Sequence, residues 1–211
     1  MQQGDQKRHW LDEEIWPEIH AMMHSDGYFR LWLKAQEIAK IPYGPIAQTI
    51  INGYATFQLA AVRRICDRRA QDDVISLPKL LELIKQQQPY RAAVIDSLLL
   101  RLKTEWDALY KLATQYIAHN ADPQKTRDWK AWGLTSAQIM TAQKAICEVF
   151  IIIERDLLAI TQRACLIAVY QGDYLEEIRP WVPKDELGTL REFWHDHNKQ
   201  VNQWVQVARP F

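Results

Sequence analysis

Between Tyr90 and Asn120 the apolar residues Val94, Leu98, Leu102, Trp106, Leu109, Ala113 and Ile117 return every three or four positions. That spacing lines one side of a long α-helix, and a helix with one apolar side must bury it against another element. The same spacing recurs in most of the chain. Residues Leu11–Ser25 and Tyr28–Ile41 read as two short helices with Asp26-Gly27 as a turn between them, and Pro42-Tyr43-Gly44-Pro45 as a firm break. From Pro45, a good first-turn residue, Ile46, Ile50, Tyr54, Phe57, Ala61 and Ile65 step by threes and fours toward Arg63, Arg64, Arg68 and Arg69.

Ser76 is a natural N-cap with Pro78 in the first turn behind it, and Leu77, Leu80, Leu81 and Ile84 form the apolar side of a short helix ending near Gln86-Gln87-Gln88-Pro89. Residues 120–134 are polar and read as a loop that packs back through Trp129 and Trp132. Thr135 with Gln138 is a capping box that opens a helix expected to run to about Tyr170. Its five consecutive apolar residues, Val149 to Ile153, imply burial on nearly all sides. After Gln171-Gly172-Asp173 the chain is broken at Pro180 and Pro183, and a last helix fits Lys184–Val205.

These elements predict an all-α protein with one helical bundle over residues 1–170 and an appended C-terminal helical arm over 171–211. Only 7 glycines in 211 residues, with 48% hydrophobic and 25% charged residues, agree with an ordinary helical domain and not with disorder or an all-β fold. Lys+Arg and Asp+Glu are equal at 26 each, so the net charge does not announce a nucleic-acid binder, although a local basic patch fits inside a zero total. Arg63, Arg64, Arg68 and Arg69 read either as such a patch or, more simply, as cations opposing the negative end of the helix dipole.

Cys66, Cys147 and Cys165 are odd in number, far apart and set in apolar stretches, which describes buried small hydrophobes in a reducing compartment. Residues 1–9 hold no apolar core of signal-peptide length, and no apolar run is read as a span of about 18 residues, so the expectation is a cytoplasmic protein with no membrane contact. Several of the nine tryptophans (Trp10, Trp16, Trp32, Trp181, Trp194, Trp204) lie toward the chain ends, where such surface packs outer helices or an oligomer interface.

The candidate site is the octapeptide Tyr116-Ile117-Ala118-His119-Asn120-Ala121-Asp122-Pro123, where a long helix ends in a His, an Asn and an Asp within four residues. A helix-terminal His often does no more than meet the last carbonyls. Here the order of elements adds to it: a long helix ending in arginines, the short Ser76-Leu77-Pro78-Lys79-Leu80-Leu81 helix, then a long helix terminating in Ala118-His119-x-x-Asp122. In that order the chain resembles the HEPN superfamily, and within it the abortive-infection AbiU-type branch, over roughly residues 28–170.

The resemblance implies an up-and-down helical bundle that forms a homodimer, with two copies of the motif in one cleft, and a role in prokaryotic defence or a toxin–antitoxin pair. In active relatives the motif is a metal-independent RNase centre with no cofactor. A His moves protons at the ribose 2′-hydroxyl or the leaving oxygen, and an Arg one to two turns earlier binds the phosphate as charge develops. On this chain His119 would be the acid/base residue, with Asn120 and Asp122 orienting it or capping the helix. The Arg is missing: its expected positions hold Leu112, Ala113 and Thr114, and Lys111 is a poor substitute, turned away from His119 and unable to grip a phosphate in bidentate fashion. A cation from elsewhere, such as Arg63, Arg64, Arg68 or Arg69, is the remaining source.

Two functions are therefore expected. One is a HEPN-like RNase with impaired or lost activity that keeps affinity for RNA or a nucleotide; the other is a non-catalytic helical interaction module, antitoxin-like or regulatory. Other constellations carry less. His195-Asp196-His197 mimics a metal cluster, but residues two apart on a helix point to different sides. His20 and His24 have two-His helical spacing without the intervening Glu of a zinc-protease site. No Gly-rich phosphate loop, Ser nucleophile elbow or Cys pair at metal spacing occurs.

Overall fold

The computed structural model describes residues 3–67, 75–113, 135–160 and 182–207. Apart from short connections these are helical, with no strand among them, and the protein is an all-α bundle. Helix α1 (Gln3–His9) runs through a π-helical segment, Trp10–Ile15, into α2 (Trp16–Ile38). Then come α3 (Pro45–Ile65), α4 (Leu77–Gln87), a 3-10 turn at Pro89–Arg91 and α5 (Ala92–Ala113). Helix α6 (Ser136–Ile152) ends in a π turn, Ile153–Leu157, and α7 (Leu187–Val207) follows a 3-10 turn at Lys184–Glu186.

The predicted caps form. The Ser76 hydroxyl accepts from the Lys79 N–H at 3.4 Å and donates to the Asp67 carbonyl at 2.6 Å, so one side chain closes α4 and ties it to the end of α3. At α6 the Thr135 hydroxyl accepts from the Gln138 N–H at 3.2 Å while the Gln138 side chain accepts from the Thr135 N–H at 2.8 Å, satisfying two donors that a helix start leaves open. Val149 to Ile153 are fully enclosed, and the core joins them to Leu59, Val62, Leu80, Leu98, Leu102 and Trp106.

Asp26-Gly27 does not make a turn. Helix α2 passes through both, because the Asp26 carboxylate finds partners along and across helices and Gly27 leaves room for the Trp194 indole of α7. Helix α6 stops well short of Tyr170. The Leu158 N–H reaches the Ile153 carbonyl at 2.9 Å, Ala159 turns left-handed at φ 52°, and the Ile160 N–H closes back on the Glu154 carbonyl at 2.9 Å. Residues Ser136–Leu157 are long and apolar enough to cross a membrane by length and composition, but 67% of the most apolar 18-residue window in that stretch is buried inside the bundle, as expected of a core helix.

Helix α3 has two apolar sides where one was expected. Ala47, Ile51, Tyr54, Ala55, Leu59, Val62 and Ile65 face the core, whereas Ile46, Ile50 and Phe57 of the predicted face point outward. The C-terminal segment that reads as an arm contributes a helix that packs on α2 and α6 and sends Leu190, Trp194, Val201 and Trp204 into the same core.

Polar contacts fix the ends of the bundle. Arg91 donates to the Asp156 carbonyl and Arg101 pairs with Glu148, so α5 and α6 run antiparallel. Lys7 meets Gln87, and Arg64 holds Glu18 at 2.7 Å, which gathers α1 and the starts of α2 and α5 with the ends of α3, α4 and α6. The α2–α3 turn, the end of α5 at Ala113 and the start of α6 at Ser136 therefore lie at the opposite end.

Candidate functional site

His119, Asn120 and Asp122 lie outside the described residues, as do Arg68 and Arg69. Lys111 is in the last described turn of α5, and only its backbone is described. What is described bears on the missing cation. Arg63 and Arg64 end α3 at the far end of the bundle from Ala113, a separation of about 30 Å, the rise of a helix of this length. Arg64 is also occupied by Glu18. Within one protomer these two arginines stay away from the end of α5 that leads toward His119.

Among the described residues a dense polar constellation lies elsewhere, in the α2–α3–α7 interface. Asp26 is 1% exposed, accepts from the Tyr54 hydroxyl through one carboxylate oxygen and from Arg30 Nε through the other at 2.7 Å. His197 of α7 stands over the same carboxylate, its Nε2 3.7 Å from Oδ2 and without a hydrogen-bond partner. Beneath, Gln143 Nε2 donates to Gln58 Oε1 at 3.0 Å and Gln58 Nε2 to the Met22 carbonyl at 3.0 Å, a relay that crosses from α6 through α3 to α2.

Burial and the adjacent Asp26 carboxylate push the Tyr54 hydroxyl well above its usual range, so it stays a donor. Burial works against the Arg30 charge, but Asp26 outweighs it and holds the guanidinium protonated. For His197 burial dominates: the imidazole is held below its ordinary value despite Asp26, with Arg30 adding repulsion. The group is thus a fixed charge pair with a tyrosine donor and a neutral histidine. Its chemistry is that of a lock between helices, and sequence gives no local signal for it because the members come from three separate elements.

Arg30 also lines a cavity of about 560 Å³ at the α2–α3 turn, with Lys34, Lys40, Tyr43 and Phe193 around it. Two of its three cations are already paired, Arg30 with Asp26 at 2.7 Å and Lys34 with Glu37 at 3.0 Å.

The remaining sequence candidates separate. His195 and Asp196 are exposed while His197 is buried, so they share no ligand position. His20 and His24 lie with ring centroids 4.1 Å apart and planes tilted by 41°, in a row of rings from Trp16 through Tyr28 to Trp194, and burial lowers both pKa values. Among the described residues no three His, Cys, Asp or Glu come together as a metal site. Cys66 and Cys147 are buried, and burial followed by the nearby Glu148 and Asp26 carboxylates drives the Cys147 thiol far up; Cys165 lies outside the described residues. No protein-family model, curated protein or solved structure matches the chain.

Proposed function

We propose that this chain is a HEPN-like protein of prokaryotic defence or toxin–antitoxin type, retaining affinity for RNA or a nucleotide, with its metal-independent RNase chemistry impaired or lost. The observation that supports impairment is the placement of charge. Helix α5 approaches the motif with Lys111 as the nearest cation before it, while Arg63 and Arg64 sit at the other end of the bundle. His119 then has the Asn120 and Asp122 neighbours of such a centre, and neither of the described arginines that end α3 serves it as the guanidinium that neutralises phosphate, a loss of transition-state stabilisation of roughly 3–4 kcal/mol by comparison with other single-donor removals.

The test is cleavage of single-stranded RNA without added metal by the native chain, His119→Ala and Thr114→Arg. The expected result is slow or absent cleavage by the native chain, gain in Thr114→Arg, and loss of that gain when His119→Ala is added. Rapid native cleavage abolished by His119→Ala would overturn the impairment; an inert Thr114→Arg chain would overturn the RNase lineage.

A second reading has its own support. A non-catalytic interaction or regulatory module, with Ala118-His119-Asn120-Ala121-Asp122 as a helix terminus, accords with the outward apolar side of α3.

A further inference from the structure

The outer face of α3 is an apolar seam that nothing in the described chain covers. Ile46 is 79% exposed, Tyr43 in the preceding turn 70%, and Ile50 and Phe57 36% each. With Gly53 they follow one another at steps of three, four, three and four, the spacing of a helix–helix seam. Isolated exposed apolar residues are ordinary, but a continuous row marks a contact surface. From Ile41 to Val62 there is no charged residue, in a chain where one residue in four is charged.

Gly53 lies in the middle of this row. A Cβ there would meet nothing within 4 Å, so packing among the described residues gives no reason for a glycine that weakens a helix interior by about 1 kcal/mol relative to Ala. A second helix lying against it supplies the reason. If α3 meets itself antiparallel about a two-fold axis midway between positions 51 and 52, Ile50 falls on the partner's Gly53 and Ile46 on the partner's Phe57. Tyr43 extends the row toward the partner's small Ala60. Large residues face small ones twice along the seam, as interdigitated packing requires. An uncharged face is compatible with itself, and an isologous interface needs that self-complementarity.

We propose that α3 is the dimer seam of this protein, an antiparallel pairing of two copies in which Ile50 of each fills the hollow over the partner's Gly53. A stable interface of standard size buries about 800 Å² per partner, and the four large side chains supply the apolar centre that such an interface has. The proposal rests on α3 alone and is independent of the motif at His119.

The experiment is sedimentation of the full chain between about 1 and 100 μM, with Ile46→Glu, Gly53→Leu and, as a control off the seam, Leu100→Glu, which is also exposed. The native chain and Leu100→Glu should be dimers, and Ile46→Glu should weaken association by roughly 100-fold, the effect of losing an interface hot spot. Gly53→Leu should be monomeric with thermal stability no lower than the native monomer, since the added side chain enters open space in the protomer and blocks only the partner's Ile50. A native monomer at the highest concentration overturns the proposal. Undiminished association of Gly53→Leu overturns it equally. Neither result touches the RNA-cleavage assay, which reads His119.

Discussion

The Trp194 indole lies against Gly27, with Cζ3 and Cη2 each 3.0 Å from the point that a Cβ on Gly27 would occupy. Trp194 is 4% exposed and stacks on Tyr28 at 5.5 Å, so it has little freedom to withdraw. Gly27→Ala should therefore lower stability by about 1 kcal/mol in urea unfolding, the overpacking penalty of about 1–3 kcal/mol exceeding the helix-propensity gain of about 1 kcal/mol. Gly53→Ala, measured at low protein concentration, should move the other way, because there the propensity term acts alone.

Asp26→Ala should be among the most damaging single changes in the described chain. It leaves the Arg30 charge and the Tyr54 hydroxyl without the carboxylate that both use, a loss of about 3–5 kcal/mol for a broken buried pair. Tyr54→Phe should lose about 1–3 kcal/mol. The double variant should lose less than the sum, since both remove the same hydrogen bond; equilibrium denaturation of the four proteins closes the cycle.

Stability should fall on mild acidification. His197, His20 and His24 all have folded-state values below the ordinary histidine range, His197 and His20 through burial and His24 through burial followed by His20. Groups with a depressed folded value bind fewer protons folded than unfolded, so their contribution is complete above the unfolded pKa of about 6.5 and is lost as pH falls toward the folded values. Urea midpoints at pH 7.5 and 5.5 measure the drop. His197→Gln should make it smaller, and a midpoint that rises on acidification would contradict the assignment of neutral histidines.

Lys40 and Ala159 end α2 and α6 in the left-handed region, each at φ 52°, with the Ile41 N–H reaching Gln36 and the Ile160 N–H reaching Glu154. A side chain with a Cβ pays a steric penalty there of about 1–2 kcal/mol, part of which glycine returns as lost chain entropy. Lys40→Gly and Ala159→Gly should each raise stability by up to about 1 kcal/mol, read as an increase in melting temperature.

How far the fold could be read from the residues depended on the reach of the signal. Ser76 and Thr135 act on N–H groups three positions away, so their caps are legible in a short window. Asp26-Gly27 spells a turn locally, and what keeps it helical is Tyr54 on another helix and Trp194 near the end of the chain. The spacing of Ile46, Ile50 and Phe57 correctly indicates an apolar row on α3, but periodicity carries no label for core or surface. The His119, Asn120 and Asp122 motif is legible in sequence and falls outside the described residues, whereas the Asp26, Tyr54 and His197 lock has no spacing to reveal it because each member comes from a different helix.

Cys147 gives the bundle an internal clock. Its thiol is enclosed at 1% exposure and held protonated, so in the closed protein it presents neither access nor a nucleophilic sulfur. In a chain whose other two cysteines are replaced, each alkylation of Cys147 records one opening of the helices around it. With a reagent that outpaces reclosing, the rate of labelling under native conditions then counts how often those helices come apart, without denaturant and without a signal from the surface.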